Sequence, residues 1–327
     1  MKTTAKAPAN IALIKYWGRK NETLRIPAND SLAICLDKSF TLTTVEFRED
    51  LEKDRVFIDK KEAIEKEKER VVKHLNKIRK KAGIKFFAQV VSKNSFPAAT
   101  GLASSASGFA ALTLACSKAA GLNLSEREIS RLARLGSGSA CRSIPDGFVY
   151  WHGGNSDRNS YAYSLYSHLY WGLRDLTIII QKEKKKISST KGHQLAFQNP
   201  FLKSRLKLVK ENLKKIKKAF KNKDFSLLGK VIESEALSLH SVMLTSQPAL
   251  IYWQPATLAI IHKVIDLREK GEIESYFTID AGPNVHLICQ KGQEEKLKQE
   301  IQKINGVKKV VINKPSVGAR LINKHLF

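Results

Sequence analysis

Residues 96–108 read FPAATGLASSASG, and the reading of this stretch organises the rest of the chain. An expected strand over 86–91 leads into it, and an apolar segment, 109–120, leads out of it. Small residues dominate from Ala98 to Ser107. Gly101 has no Cβ, so backbone can come close to a ligand there. Ser104, Ser105 and Ser107 are small and carry hydroxyls. A loop of this kind that opens a helix presents free N–H groups, and the positive end of the helix dipole, to an anion. The stretch lacks the lysine of a GxxxxGK[ST] loop and does not fit GxGxxG. A helix that simply packs closely through small residues has the same composition, so the stretch alone leaves both readings open.

The chain has 327 residues, enough for a large core and two lobes. Its formal net charge is +26 and its pI is near 9.9. That balance invites a nucleic-acid reading. The lysines, however, crowd into 59–81 and 182–230, where apolar residues recur at helical intervals, as in Leu202, Leu206, Val209, Leu213, Ile216 and Phe220. Solvated outer faces of amphipathic helices account for them, and no specific nucleic-acid partner is expected. The same charge would steer anionic substrates toward the protein. Cys35, Cys116, Cys141 and Cys289 form no CxxC pair and sit among apolar or small residues, which predicts free, buried thiols in a reducing compartment. Residues 1–10 lack the apolar core of a signal peptide, and no apolar run approaches the roughly 20 residues of a membrane span. A cytoplasmic location with no membrane partner is expected.

In chain order, residues 9–16, ANIALIKY, are an apolar run with one lysine inside it. Lys15 there needs a partner or a ligand, unless it snorkels out of a strand. Trp17-Gly18-Arg19-Lys20 reads as a turn with two cations. Residues 26–36 and 41–47 alternate as two strands, and 59–81 as a charged helix stopped by Gly83. The helix that starts near Ser104 should end at Gly121 in a left-handed cap. Ser125-Glu126-Arg127-Glu128 spells a capping box. Residues 136–143, GSGSACRS, form a second small-residue loop, this one with Arg142. An arginine among glycines and serines suits bidentate recognition of phosphate or carboxylate, or else caps a helix or pairs with an acid. From 176 onward the pattern predicts a strand at 176–181, helices at 200–222, 225–240 and 257–271, and strands at 276–280 and 285–289. A helix at 293–304 and a strand at 308–312 complete a βαβ-like set. Asp280 sits where a strand meets the turn Ala281-Gly282-Pro283-Asn284 and could shape that bend as an Asx turn.

Four segments, ANIALIKYWG (9–18), FPAATGLASSASGFAAL (96–112), GSGSACRS with GFVYW (136–151) and FTIDAGPN (277–284), resemble the diphosphomevalonate decarboxylase family of the GHMP kinase superfamily. They occur in the family's order and span most of the chain. The resemblance implies an α+β, two-lobed GHMP-kinase-like fold. Its N-terminal lobe would be ribosomal-protein-S5-like, its C-terminal lobe ferredoxin-like, and the active-site cleft would lie between them. It places an ATP-binding domain at 1–175 and a second domain at 176–327. It also implies ATP-dependent decarboxylation of diphosphomevalonate to isopentenyl diphosphate, with ATP and Mg2+ as cofactors; a homodimer is a candidate assembly.

The resemblance carries residue roles as well. Asp280 would orient or deprotonate the tertiary 3-hydroxyl for attack on the ATP γ-phosphate. Lys15 would neutralise charge beside it, and Arg142 would hold the substrate carboxylate. Tyr16, Arg19, Ser137, Gly138, Ser139 and Ser189 match positions facing the substrate's phosphates. Ser92, Asn94, Gly101, Ser104, Ser105 and Ser107 match the nucleotide side. Mg2+ would be held by serine hydroxyls and phosphates more than by a carboxylate cage.

The chain departs from the family's pattern at several places. Arg19 stands where lysine is usual, and Gly192-His193 where glycine-methionine is usual. Asp146, in the stretch after Arg142, puts a carboxylate near the expected substrate site. Three functions remain open from sequence: the decarboxylase, a related activity on 5-phosphomevalonate or a 3-kinase without decarboxylation, and a basic nucleic-acid binder on an old enzyme fold. Asp280, Lys15 and Arg142 together argue for decarboxylation.

Overall fold

The computed structural model of the protein describes residues 1–96, 104–180 and 189–327, with the side chains of 104, 189 and 190 also left undescribed. Gly101 therefore lies outside the described residues, as do the side chains of Ser104 and Ser189.

The chain begins with β1 (Lys2–Ile14), β2 (Arg19–Asn21), β3 (Ile26–Pro27), β4 (Ser31–Arg48), β5 (Arg55–Ile58) and β6 (Lys61–Glu62). Then come α1 (Glu65–Ala82), β7 (Phe87–Asn94), α2 (Ser104–Ala119), α3 (Glu126–Gly136), β8 (Phe148–His152) and β9 (Tyr161–Tyr166). The remainder is β10 (Leu173–Ile179), α4 (Ser189–Leu195), α5 (Leu202–Asn222), α6 (Phe225–Leu244), α7 (Pro255–Glu269), β11 (Ser275–Ile279), β12 (Val285–Gln290), α8 (Glu294–Gln302), β13 (Lys309–Asn313) and β14 (Arg320–Ile322).

Two sheets carry the fold. The first runs β14-β1-β4-β7-β5-β6, with β8 and β9 added beside β4. Its spine is the long antiparallel pair of β1 and β4. Helix α2 lies across that pair through Ala110, Ala111 and Ala115, all buried with Ala5, Ala7 and Val45. The apolar segment that follows the small-residue stretch thus provides the close helix-on-sheet packing. The second sheet runs β11-β12-β10-β13, and every neighbouring pair is antiparallel. Strands β12 and β13 both oppose β10, so they are parallel to each other and α8 crosses between them. That is a βαβ unit split by β10, the ferredoxin-like arrangement. The last strand, β14, returns to pair with β1 in the first sheet. A third core, with Leu13 and Ile34 against Val209, Ile216 and Ile232, binds the spine of the first sheet to α5 and α6. The result is the two-lobed α+β fold expected. No helix of the described residues is long and apolar enough to cross a membrane.

Local chemistry sets many element ends. Ser125 Oγ accepts from Glu128 N while Ser125 N donates to Glu128 Oε2, so the capping box closes in both directions. Gly83 and Gly121 take φ of 70° and 76°, left-handed conformations that end α1 and α2. All four cysteines are free and buried.

Three expectations need correction. The strands expected at 26–36 and 41–47 are mostly one strand, β4, preceded by the short β3. Asp37-Lys38-Ser39 breaks the alternation because the register of β1 against β4 slips there: Pro8 opposes Phe40 but Ala9 opposes Leu36. The helix expected over 59–81 begins only at Glu65. Asp59 and Lys60 have positive φ and turn the chain back into β6, and the Asp59 carboxylate is engaged by Asn94. The loop expected at 136–143 contains a 3-10 helix, Gly138–Ser143, that stacks Arg142 inward.

Candidate active site

The site begins where β1 ends. A second register slip, between Ala12 and Ile14, lies just before Lys15. Bulges of this kind re-aim the side chain that follows. Lys15 is 1% exposed, yet it does not snorkel. Its Nζ donates to the Ala12 carbonyl at 2.8 Å and to Asp280 Oδ1 at 2.7 Å. Its own backbone is gripped from the second lobe. Lys15 N–H donates to Glu235 Oε2 at 3.0 Å, and the Lys15 carbonyl accepts from Asn29 and, more loosely, from Arg205. Glu235 is itself bonded by Asn212 and paired with Arg205, all three buried on α5 and α6.

Asp280 follows β11, and its side chain is 40% exposed. Its carboxylate points at Lys15 and does not form an Asx turn; the bend after it is closed by Gly282 N–H donating to the Asp280 carbonyl. Burial opposes ionisation of Asp280, but the Lys15 ammonium and its hydrogen bond, with His286 and Arg142 behind, hold the carboxyl below the ordinary aspartate range. Burial pulls the Lys15 ammonium below the usual lysine range, with Asp280 and Glu235 pulling the other way.

Arg142 is 3% exposed and, among the described residues, neither caps a helix nor pairs with an acid. Its Nε donates to Asn10 Oδ1 at 3.1 Å and its Nη1 to Ser31 Oγ at 2.7 Å. Asn10 is fixed in turn by donating to Ser143 Oγ and the Ser139 carbonyl. Nη2 bonds to none of the described residues. Arg142 lies within electrostatic reach of both Lys15 and Asp280. Three groups assigned from different parts of the sequence thus converge.

Beside them Tyr16 Oη accepts from Arg19 Nε at 2.7 Å, and Arg19 Nη1 donates to Glu22 at 2.7 Å. Gly138 lies against Tyr16 so closely that a Cβ there would sit 2.6 Å from Tyr16 Oη. Ser137 Oγ and Ser105 Oγ lie 3.2 Å apart, which joins the two small-residue loops. Ser139 contributes its carbonyl to Asn10 and keeps a half-buried side chain.

On the far side, Ser107 Oγ contacts Thr41 Oγ1 at 2.7 Å, and Thr41 donates to Asn94 Oδ1 at 2.7 Å. Ser92 Oγ contacts Thr43 Oγ1 at 2.9 Å. These hydroxyls line the β4–β7 edge where α2 begins. Among the described residues no three or more His, Cys, Asp and Glu side chains converge as a metal cage.

Asp146 does not face this site. It is exposed, and Oδ1 accepts from Gly318 N–H at 2.7 Å. Sequence reasoning also missed Asn10, Ser31, Glu235 and Arg205. The polar Asn10 inside an apolar run was the one available signal.

Comparison with known proteins agrees with this geometry. The family profile described as the diphosphomevalonate decarboxylase-like N-terminal domain matches residues 7–162, and that of the mevalonate 5-diphosphate decarboxylase C-terminal domain matches 176–319. A diphosphomevalonate decarboxylase of Ganoderma lucidum is 34% identical over 88% of this chain and 78% of its own. A phosphomevalonate decarboxylase of Haloferax volcanii is 30% identical over 92% of each chain. A solved structure of the mevalonate diphosphate decarboxylase of Enterococcus faecalis, described in terms of mevalonate diphosphate mediated ATP binding, superposes with a TM-score of 0.93 at 40% identity over 99% of each chain. With both halves matched in order and the same fold throughout, this chain belongs to the diphosphomevalonate decarboxylase family.

Proposed function

We propose that the protein catalyses the ATP-dependent decarboxylation of (R)-5-diphosphomevalonate to isopentenyl diphosphate, releasing ADP, phosphate and carbon dioxide. The observation that carries the proposal is the ion pair between buried Lys15 and half-exposed Asp280, with Arg142 within electrostatic reach. Hydroxide is a poor leaving group, so the substrate's 3-hydroxyl must first become a phosphate ester. Asp280 accepts the hydrogen bond of that hydroxyl and aims its oxygen at the γ-phosphorus. Because Lys15 keeps the carboxyl ionised and weakly basic, Asp280 chiefly orients, and takes the proton late, as suits a loose phosphoryl transition state. Lys15 offsets the negative charge that gathers beside Asp280. Arg142, anchored through Nε and Nη1, presents Nη2 to the substrate carboxylate until the 3-phosphate departs and carbon dioxide is lost.

Tyr16, Arg19, Ser137, Gly138, Ser139 and Ser189 face the substrate's phosphates in this reading, and Ser92, Asn94, Gly101, Ser104, Ser105 and Ser107 the nucleotide. The hydroxyl-rich edge around Ser105 and Ser107 suits Mg2+ held chiefly through ATP oxygens. Mg2+ there would neutralise phosphate charge. Residues 1–175 form the ATP-binding domain in this reading and 176–327 the second domain. A second reading, decarboxylation of the 5-monophosphate, is favoured by the Haloferax volcanii relative. One coupled assay of ADP and carbon dioxide release decides among mevalonate, its 5-phosphate and its 5-diphosphate. The 5-diphosphate should give equal amounts of both products and the highest kcat/KM. ADP without carbon dioxide would overturn the proposal.

A further inference from the structure

His193, on α4, is 5% exposed and lies between the rings of Tyr16 and Trp17, at centroid distances of 4.3 and 4.5 Å. Its Nδ1 accepts the backbone N–H of Gly18 at 3.1 Å. An acceptor nitrogen carries no proton, so the neutral ring has its proton on Nε2. Nε2 bonds to none of the described residues. A buried ring, oriented on three sides, therefore keeps one N–H donor without a partner among the described residues. The ring stays neutral because burial, reinforced by Arg19, Arg25 and Arg142, pushes its pKa well below the usual histidine range. Those same three arginines place it inside the cationic part of the site.

Gly192, the preceding residue, supports the placement. A Cβ there would lie 2.5 Å from the Trp17 ring, so glycine lets α4 close onto the Tyr16-Trp17 turn and carry His193 in with it. We propose that His193 is a substrate-contacting residue whose Nε2–H donates a hydrogen bond to the phosphate end of the substrate. This rests on the assignment of Tyr16 and Arg19 to that end.

The test compares the unmodified enzyme with His193→Asn, His193→Gln and Arg19→Ala, for Tm and for kcat and KM with diphosphomevalonate at saturating ATP. Asparagine keeps an acceptor for Gly18 but has no atom at the Nε2 position. Glutamine places an N–H donor there. His193→Asn should raise KM about tenfold with kcat within about twofold, while His193→Gln stays within about threefold in KM, the scale of one hydrogen bond to a charged group. An unchanged KM in His193→Asn overturns the proposal, and so does an equal rise in both variants. If His193→Asn does not fold, His193→Gln decides alone: KM within about threefold supports the donor, and a larger rise overturns it. An unchanged KM in Arg19→Ala removes instead the assignment of the phosphate end.

Discussion

Lys15 and Asp280, 265 positions apart in the chain, meet through a 2.7 Å ion pair that ties the end of β1 to the turn after β11. The pair spans the two sheets, so the proposed catalytic geometry rests on a contact that forms only when the lobes are docked. Removing the Asp280 carboxylate leaves the buried Lys15 charge uncompensated, and that cost falls on the chemistry as much as on the fold.

Asp280→Asn should therefore lower kcat by about 10²–10⁴-fold while nucleotide affinity changes little, because no second carboxylate lies in that turn. Steady-state rates and a nucleotide titration check it. A variant keeping more than about a tenth of the rate would make Asp280 structural.

The pH profile follows from the two shifts. The Lys15 ammonium and its hydrogen bond, outweighing burial, hold the Asp280 carboxyl below the ordinary aspartate range, so the acid limb of kcat/KM should lie below the pH at which a free aspartate titrates. Stability from Asp280 is present above 3.8 and is lost as pH falls through the lowered value. Lys15 titrates below 10.5, so the alkaline limb should begin before free lysine would lose its proton. Lys15→Arg should move that limb upward in whatever rate survives, since a guanidinium keeps its proton. An alkaline limb unchanged in this variant would assign it to another group.

Arg142→Lys should cost about 2–4 kcal/mol of transition-state stabilisation, because one ammonium cannot hold Asn10 and Ser31 and also present a donor to the substrate carboxylate. Tm should fall as well, since Asn10 Oδ1 and Ser31 Oγ lose fixed donors. Ser31→Ala separates the two effects. It removes one anchor alone and should cost about 1 kcal/mol of stability with kcat/KM within about tenfold. If the two variants lost kcat/KM equally, Arg142 would be an anchor and nothing more.

Gly138→Ala should lower stability by about 1–3 kcal/mol, because its Cβ cannot coexist with Tyr16 as placed. Displacing Tyr16 also disturbs the Arg19 Nε bond, so KM for diphosphomevalonate should rise on the order of tenfold. Thermal melts and initial rates measure both. A stable variant with an unchanged KM would place the phosphate end elsewhere.

Much of this was legible in the chain because it is local. The Ser125–Glu128 capping box and the left-handed glycines at 83 and 121 are fixed by residues a few positions apart, and the βαβ-like order over 285–312 could be read off in sequence, though not its splitting by β10. Lys15 within an apolar run announced that it needed a partner, and the motifs named Asp280 and Arg142. What stayed hidden is long-range. The continuity of β4 depends on a register slip opposite Pro8, which alternation in one strand cannot show. The turn at 59–64 depends on Asp59 reaching Asn94.

The sequence by itself determined the element types, the family motifs and the identity of the charged groups, since propensity, capping and motif order act over short spans. Only the tertiary structure decided that Asn10 and Ser31 hold Arg142, that Glu235 and Arg205 grip the backbone of Lys15, and that His193 turns one N–H into the site. Each of those contacts joins segments brought together by lobe packing. Their energies depend on burial, and burial exists only once both lobes have closed around the end of β1.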